Sequence, residues 1–163
     1  MTERLLPIVQ KTLEENSISY EVFPCDPDFA DTAAFCEKYG FSPDQSANTI
    51  ILASRKIEPT KYAVCVVLAT TKLDVNKKAR QLMDVRKVSF ADSETTVKLT
   101  DMMVGGVTAI GINDLPIYVD SPVMEQEKVI MGGGNRSTKV LLDPKELLKL
   151  KNAEVIEGLA LPK

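Results

Sequence analysis

NTIILAS at residues 48–54 and KYAVCVVLA at residues 61–69 are the two stretches on which the fold turns. Both are short, apolar and rich in β-branched side chains, the composition of buried strands rather than of helices. Between them lies RKIEPT, residues 55–60, a polar link that suits a loop joining antiparallel partners. Cys65 falls inside the second apolar run, where a small core residue is its simplest role. The chain is therefore organised around a sheet.

The elements on either side are brief. Upstream, Leu5, Leu6, Val9 and Leu13 keep helical spacing over residues 2–15, with Thr2 as the N-cap. SISYEVF (17–23) alternates as a strand, and CDPDFAD is a loop. Asp31 caps the helix TAAFCEKY, which Gly40 stops, and Ser42-Pro43-Asp44-Gln45 has the pattern of a capping box with proline in the first turn. Downstream, Asp74 opens a helix over VNKKARQLM, VSFA (88–91) is a strand, and Asp92 caps SETTVKL. Strands follow near VTAIGI (107–112), PIYVD (116–120) and KVIM (128–131), then TKVLL and EVIEG, with a helical turn at Ser121-Pro122. Asp143-Pro144-Lys145-Glu146 repeats the capping box before ELLKL. Eight or so strands and five short helices that do not alternate regularly argue against a doubly wound α/β sheet. The expectation is α+β: a mixed, strongly bent or barrel-like sheet flanked by short helices, forming one domain over residues 1–163.

Composition narrows the chemistry. The 163 residues contain no His and no Trp, with 20 Lys+Arg against 23 Asp+Glu. Without His there is no Ser-His or Cys-His nucleophile pair, no imidazole base and no HExxH zinc site. Cys25, Cys36 and Cys65 are odd in number and lack CxxC spacing, so neither a disulfide framework nor a Cys-rich metal site is expected. Apolar runs reach about eight residues, against about 20 for a membrane span, and the N-terminal stretch has no apolar core of a signal peptide. A cytoplasmic protein without membrane contact is the expectation.

Six of the eight glycines fall in two clusters, Gly105, Gly106 and Gly111 in MMVGGVTAIG and Gly132, Gly133 and Gly134 in VIMGGGNRS. Neither is a Walker loop or a dinucleotide fingerprint. Tight turns or bulges account for such clusters, and so does a cradle of main-chain amides for a carbonyl or phosphate. Charge is uneven as well: residues 55–98 hold ten basic and five acidic side chains, on a chain of net charge −3. A solvated helix face explains Lys77, Lys78 and Arg80; a limited contact with an RNA backbone is the alternative.

The ordered series PDQSANTIIL, LDVNKKARQLM, GGVTAIG, LPIYVD and VIMGGGNRSTKVLLDPKELL resembles the YbaK / prolyl-tRNA-synthetase-associated editing domain family, from about residue 17 to the C-terminus. The resemblance implies a barrel-like α+β fold and hydrolysis of the ester of mischarged aminoacyl-tRNA, in trans or within a synthetase. It implies the aminoacyl-tRNA acceptor end as partner, a synthetase as a second partner, and no cofactor. Main-chain amides facing the oxyanion fit a His-free site, and the ribose hydroxyl beside the ester can assist proton transfer.

Carried over by position, Gly105 and Gly106 would orient the ester, with Val107 and Thr108 lining the same loop. Asn48 and Thr49 would meet the tRNA end, Tyr20 and Met131 would border the side-chain pocket, and Gly132, Gly133 and Gly134 would form the second loop. Asn48 stands where the family has a Lys, Ala109 where it has a Pro, and Gly132 and Lys139 where some members have a Ser and an Asp near the substrate. A half-buried strand aromatic explains Tyr20 equally well, and a β-branched strand residue Thr49. Three readings remain open: a trans-acting deacylase, a module that binds aminoacyl-tRNA ends, amino acids or nucleotides without turnover, and a hydrolase of another small ester or thioester.

Overall fold

A computed structural model describes residues 4–163. In chain order the strands are β1 (Glu21–Pro24), β2 (Ala47–Ser54), β3 (Tyr62–Leu68), β4 (Thr71–Leu73), β5 (Val88–Phe90), β6 (Ile117–Asp120), β7 (Val129–Gly132), β8 (Thr138–Leu142), β9 (Ala153–Ile156) and β10 (Ala160–Pro162). The α-helices are α1 (Pro7–Glu15), α2 (Thr32–Tyr39), α3 (Arg80–Met83), α4 (Ser93–Thr100) and α5 (Ser121–Met124).

The pair expected from the two apolar stretches forms as an antiparallel ladder, with Ile50 opposite Cys65 and Leu52 opposite Ala63. It lies at the centre of a five-stranded mixed sheet of order β5-β2-β3-β6-β9, where β3, β6 and β9 run parallel. A second sheet, β1-β8-β7, is antiparallel, and a short ladder joins β10 to β4. A bridge from Ser46 to Ile130 connects the two larger sheets at the start of β2. Only the five-stranded sheet is mixed, and among the described residues the sheets do not close into a barrel.

Burial explains why the second stretch reads as continuous apolar sequence. Val64 and Val66 enter the main core with Val9 and Leu13 of α1, Met131 and Val140. Ala63, Cys65 and Val67 enter a second core on the opposite face, with Leu52, Met83 and Leu159. A strand covered on both faces has no solvent side to carry polar residues. Burial pushes the Cys65 thiol up to about 12, so it is inert at neutral pH. A third cluster is aromatic: Phe23 meets Phe35, Tyr39 and Phe41 edge-on, at centroid distances of 5.7, 5.4 and 5.3 Å.

Several local expectations change. α1 begins at Pro7 after Leu6, and the Thr2 cap lies outside the described residues. β1 starts at Glu21, so most of SISYEVF is not strand. Residues 107–112 form turns instead of a strand, because Gly111 takes a φ of +114° and Ile112 N–H donates to Ala109 O at 3.1 Å. Asp31 precedes α2 but does not cap it; its carboxylate accepts from Arg136 Nη1 at 3.2 Å. The Ser42–Gln45 capping box forms on a single 3₁₀ turn. At the later repeat, Asp143 caps Lys145 N–H, while Glu146 turns away to accept from Ser19 N–H at 2.6 Å. Asp74 and Asp92 cap their helices, at 3.2 Å to Lys77 N–H and 2.7 Å to Thr95 N–H.

Asp120 anchors the C-terminal strand. It is 1% exposed, and Oδ1 accepts from Leu159 N–H at 3.2 Å while Oδ2 has no partner among the described residues. Burial raises its carboxyl above the usual range, opposed by the backbone N–H groups of Ala160, Leu159 and Ser121. Asp120→Ala leaves a buried amide without its acceptor and should lower stability by about 1–3 kcal/mol in urea unfolding. Asp120→Asn keeps an acceptor and removes the buried charge. The folded carboxyl holds its proton to higher pH than the unfolded one, so wild type should lose stability relative to Asp120→Asn as pH rises through the carboxylate range.

Candidate active site

The two glycine bends meet. Gly134 N–H donates to Gly106 O at 2.7 Å, and Met103 N–H donates to Gly134 O at 3.0 Å. A side chain at either contact would separate them: a Cβ on Gly132 would lie 2.5 Å from Gly106 O and 2.7 Å from Val107 O. Beside this junction opens a cleft of about 340 Å³ whose walls come from α2, β2, the bend after α4, β7 and β8.

From β2 come Asn48 and Thr49. Asn48 Oδ1 accepts from Thr32 Oγ1 at 2.9 Å and from Ser46 Oγ at 3.5 Å. In this orientation Nδ2 makes no hydrogen bond among the described residues, leaving two donors for a ligand. Thr49 Oγ1 accepts from Ala109 N–H at 3.1 Å, bracing the turns that follow the first glycine bend.

From that bend, Val104, Gly105 and Val107 reach the cleft. Gly105 holds a φ of +89°, and the amides of Gly105 and Val107 make no hydrogen bond among the described residues. Arg136 pegs the bend from outside: Nη1 donates to Val104 O at 2.9 Å, and Nη2 to Pro27 O at 2.9 Å. Its ion pair with Asp31, whose carboxylate is largely exposed, adds geometry more than energy.

Lys139 enters from β8 and is 8% exposed. Its Nζ donates to Ala30 O at 2.7 Å and to Gly105 O at 3.2 Å, and sits 5.3 Å from the Phe35 ring centroid. Burial pulls its pKa below the ordinary lysine value; Cys25 and Asp31 oppose that shift.

Residues 26–150 match the aminoacyl-tRNA editing domain family. The chain belongs to that family. Solved structures agree on the fold of this editing domain. One of a hypothetical protein superimposes with a TM-score of 0.83 at 20% identity, covering 94% of this chain and 99% of that one. One of a "putative trans-editing enzyme for prolyl tRNA synthetase" gives 0.79 at 24% identity, covering 96% of both chains. A "putative signal transduction protein" from Marinobacter aquaeolei VT8 gives 0.67 at 16% identity, covering 97% of this chain and 31% of that larger one. No helix among the described residues is long and apolar enough to cross a membrane.

Of the positions singled out in the sequence, the editing domain gathers Asn48, Thr49, Gly105, Val107, Met131 and Gly132 around the cleft. The others are elsewhere. Tyr20 precedes β1 and lies in a groove with Leu5 and Val22, because the strand begins at Glu21, four residues later than the alternation predicts. Gly133 packs against Thr138 and Leu5, and Gly134 against Leu6 and Val9 at the start of α1. Thr108 is fully buried under the bend, where its Oγ1 accepts from Ile110 N–H at 3.4 Å. Gly106 is buried, and its N–H closes its own turn on Met103 O at 2.9 Å, so it is not free to hold an oxyanion. The braces Arg136 and Thr32 were not singled out. Lys139, named by the resemblance only for standing where some members have an Asp near the substrate, does line the cleft.

Proposed function

We propose that this editing domain, acting as one unit over residues 1–163, hydrolyses the ester of mischarged aminoacyl-tRNA in trans, with the acceptor end in the cleft. The observation that carries the reading is the convergence of the free Asn48 Nδ2 and the Gly105 bend on one small cavity. Such a lining of donors suits ester and phosphate oxygens. Water adds to the ester carbonyl carbon, the bond to the ribose oxygen breaks, and the proton passes to that oxygen through the neighbouring ribose hydroxyl. The products are the free amino acid and uncharged tRNA. No side chain need act as a strong base, since the ester is already reactive and positioning contributes the main gain. Editing answers a selectivity limit: one methylene gives a synthetase only about 1–3 kcal/mol. We place the reaction in the cytoplasm, beside a synthetase, and the trans-editing fold neighbour makes mischarged prolyl-tRNA acceptors the first substrates to try.

The test is ester loss from a panel of mischarged tRNAs. Release from one or more members above the uncatalysed rate is expected; release from none rejects the enzyme. A second reading, binding without turnover, is favoured by two observations: Gly106 N–H is occupied within its turn, and position 48 carries no cation. Under it the wild type binds tRNA ends without releasing amino acid, and Asn48→Lys creates activity.

A further inference from the structure

Lys139 is more than nine-tenths buried, yet among the described residues no carboxylate contacts its Nζ; two carbonyl oxygens and an aromatic face do. An ammonium has three donors, and the two carbonyls use two of them. Buried charges are ordinarily paired, because desolvation is otherwise uncompensated. The carboxylate beside it, Asp31, is committed to Arg136 and largely exposed at the rim. Nζ is thus a cation on the floor of an open cleft with one donor and one charge left over.

We infer that Lys139 binds an anionic oxygen of the aminoacylated nucleotide end, its ligand supplying the missing counter-charge. The inference rests on the proposed substrate class. It adds a cation from β8 to the neutral donors of β2 and the Gly105 bend. Lys139 remains protonated throughout and only donates hydrogen bonds. Two oxygens on such a ligand qualify: the ester oxygen that becomes negative when water adds, and the phosphate of the terminal nucleotide.

Two non-hydrolysable probes separate them in calorimetric titrations. The first is adenosine carrying a 3′-(1-aminoethyl)phosphonate ester, with its anion at the ester and no 5′-phosphate. The second is 3′-alanylamino-3′-deoxyadenosine 5′-monophosphate, neutral at the carbonyl and anionic at phosphate. Lys139→Met should weaken one of them 10- to 100-fold. Loss confined to the first assigns the ester oxygen and loss confined to the second assigns the phosphate; retained affinity for the other probe shows that the cleft is intact. Should Lys139→Met fold poorly, wild type and Lys139→Arg are compared across pH. Wild-type affinity for the affected probe should fall as pH rises through the lowered lysine pKa, and the Arg variant should show no such fall. The groups facing Nζ are Cys25, Cys36, Asp31 and Arg136; burial raises both thiols, keeping them neutral at neutral pH. Unchanged affinity for both probes in Lys139→Met, or a flat wild-type pH profile, overturns the inference alone. Failure of wild type to bind either probe overturns the substrate reading and this inference together.

Discussion

Gly106→Ala is expected to abolish ester hydrolysis and to lower folding stability by about 1–3 kcal/mol or more, the penalty of forcing a methyl group into a packed interior. The new Cβ would be directed into the backbone carbonyl of Asn135, with the Asn135 carbonyl carbon and nitrogen also in close contact. Backbone, unlike the end of a flexible side chain, has no rotamer by which to yield. Relief must come from parting the two bends, which breaks the bonds between Gly134 N–H and Gly106 O and between Met103 N–H and Gly134 O. The cleft wall at Gly105 and Gly132 moves with them. Gly158→Ala is the comparison. Gly158 has a φ of +73° and open space at its Cβ, so the substitution carries only left-handed strain, about 1–2 kcal/mol, at a site outside the cleft. Urea unfolding and deacylation rates on both variants check this. Gly158→Ala should be destabilised with turnover intact per folded molecule, and Gly106→Ala should lose turnover even in its folded fraction.

Asn48→Asp is expected to reduce kcat/KM about 10²- to 10³-fold, the range for removing one oxyanion donor. The substitution keeps the acceptor that Thr32 and Ser46 use, so the local frame survives. It replaces the free Nδ2 donors with an oxygen that repels ester and phosphate oxygens. Thermal unfolding should change little, because Asn48 is only half-buried and its anchored atom is retained. A kinetic loss without a stability loss identifies Asn48 as a ligand contact; equal activity in the two proteins removes it from the site.

How far the sequence carried this reading depended on how local each cause was. The β2–β3 ladder was legible because strand composition and a short polar link lie within a few residues of each other. Helix starts at Asp74 and Asp92 were legible for the same reason: a cap acts within three residues. The Asp31 cap failed because Arg136 lies 105 positions away and takes its carboxylate. Glu146 turned to Ser19, 127 positions away, where the capping pattern directed it to its own helix. Residues 107–112 carried strand composition, and tertiary burial with the Gly111 turn overrode it. In the site, glycine clustering pointed to the right two bends but not to which amides stay free. Gly106 N–H is used within its turn, and Gly133 and Gly134 serve the packing of α1. The resemblance put Lys139 near the substrate, but its contact with Gly105 depends on β8 pairing between β1 and β7, which no local pattern shows.

The reciprocal bonding of the two bends has a mechanical consequence. Residues 103 and 106 are latched to residue 134, so neither wall can swing open as a flap while its counterpart stays still. Ligand entry must then proceed without that movement, into a cleft that Thr32 of α2 and Ser93 and Thr96 of α4 also line. An incoming acyl group would meet an aperture of fixed width, and selection by size would be made at a rigid sieve and not by closure around the guest.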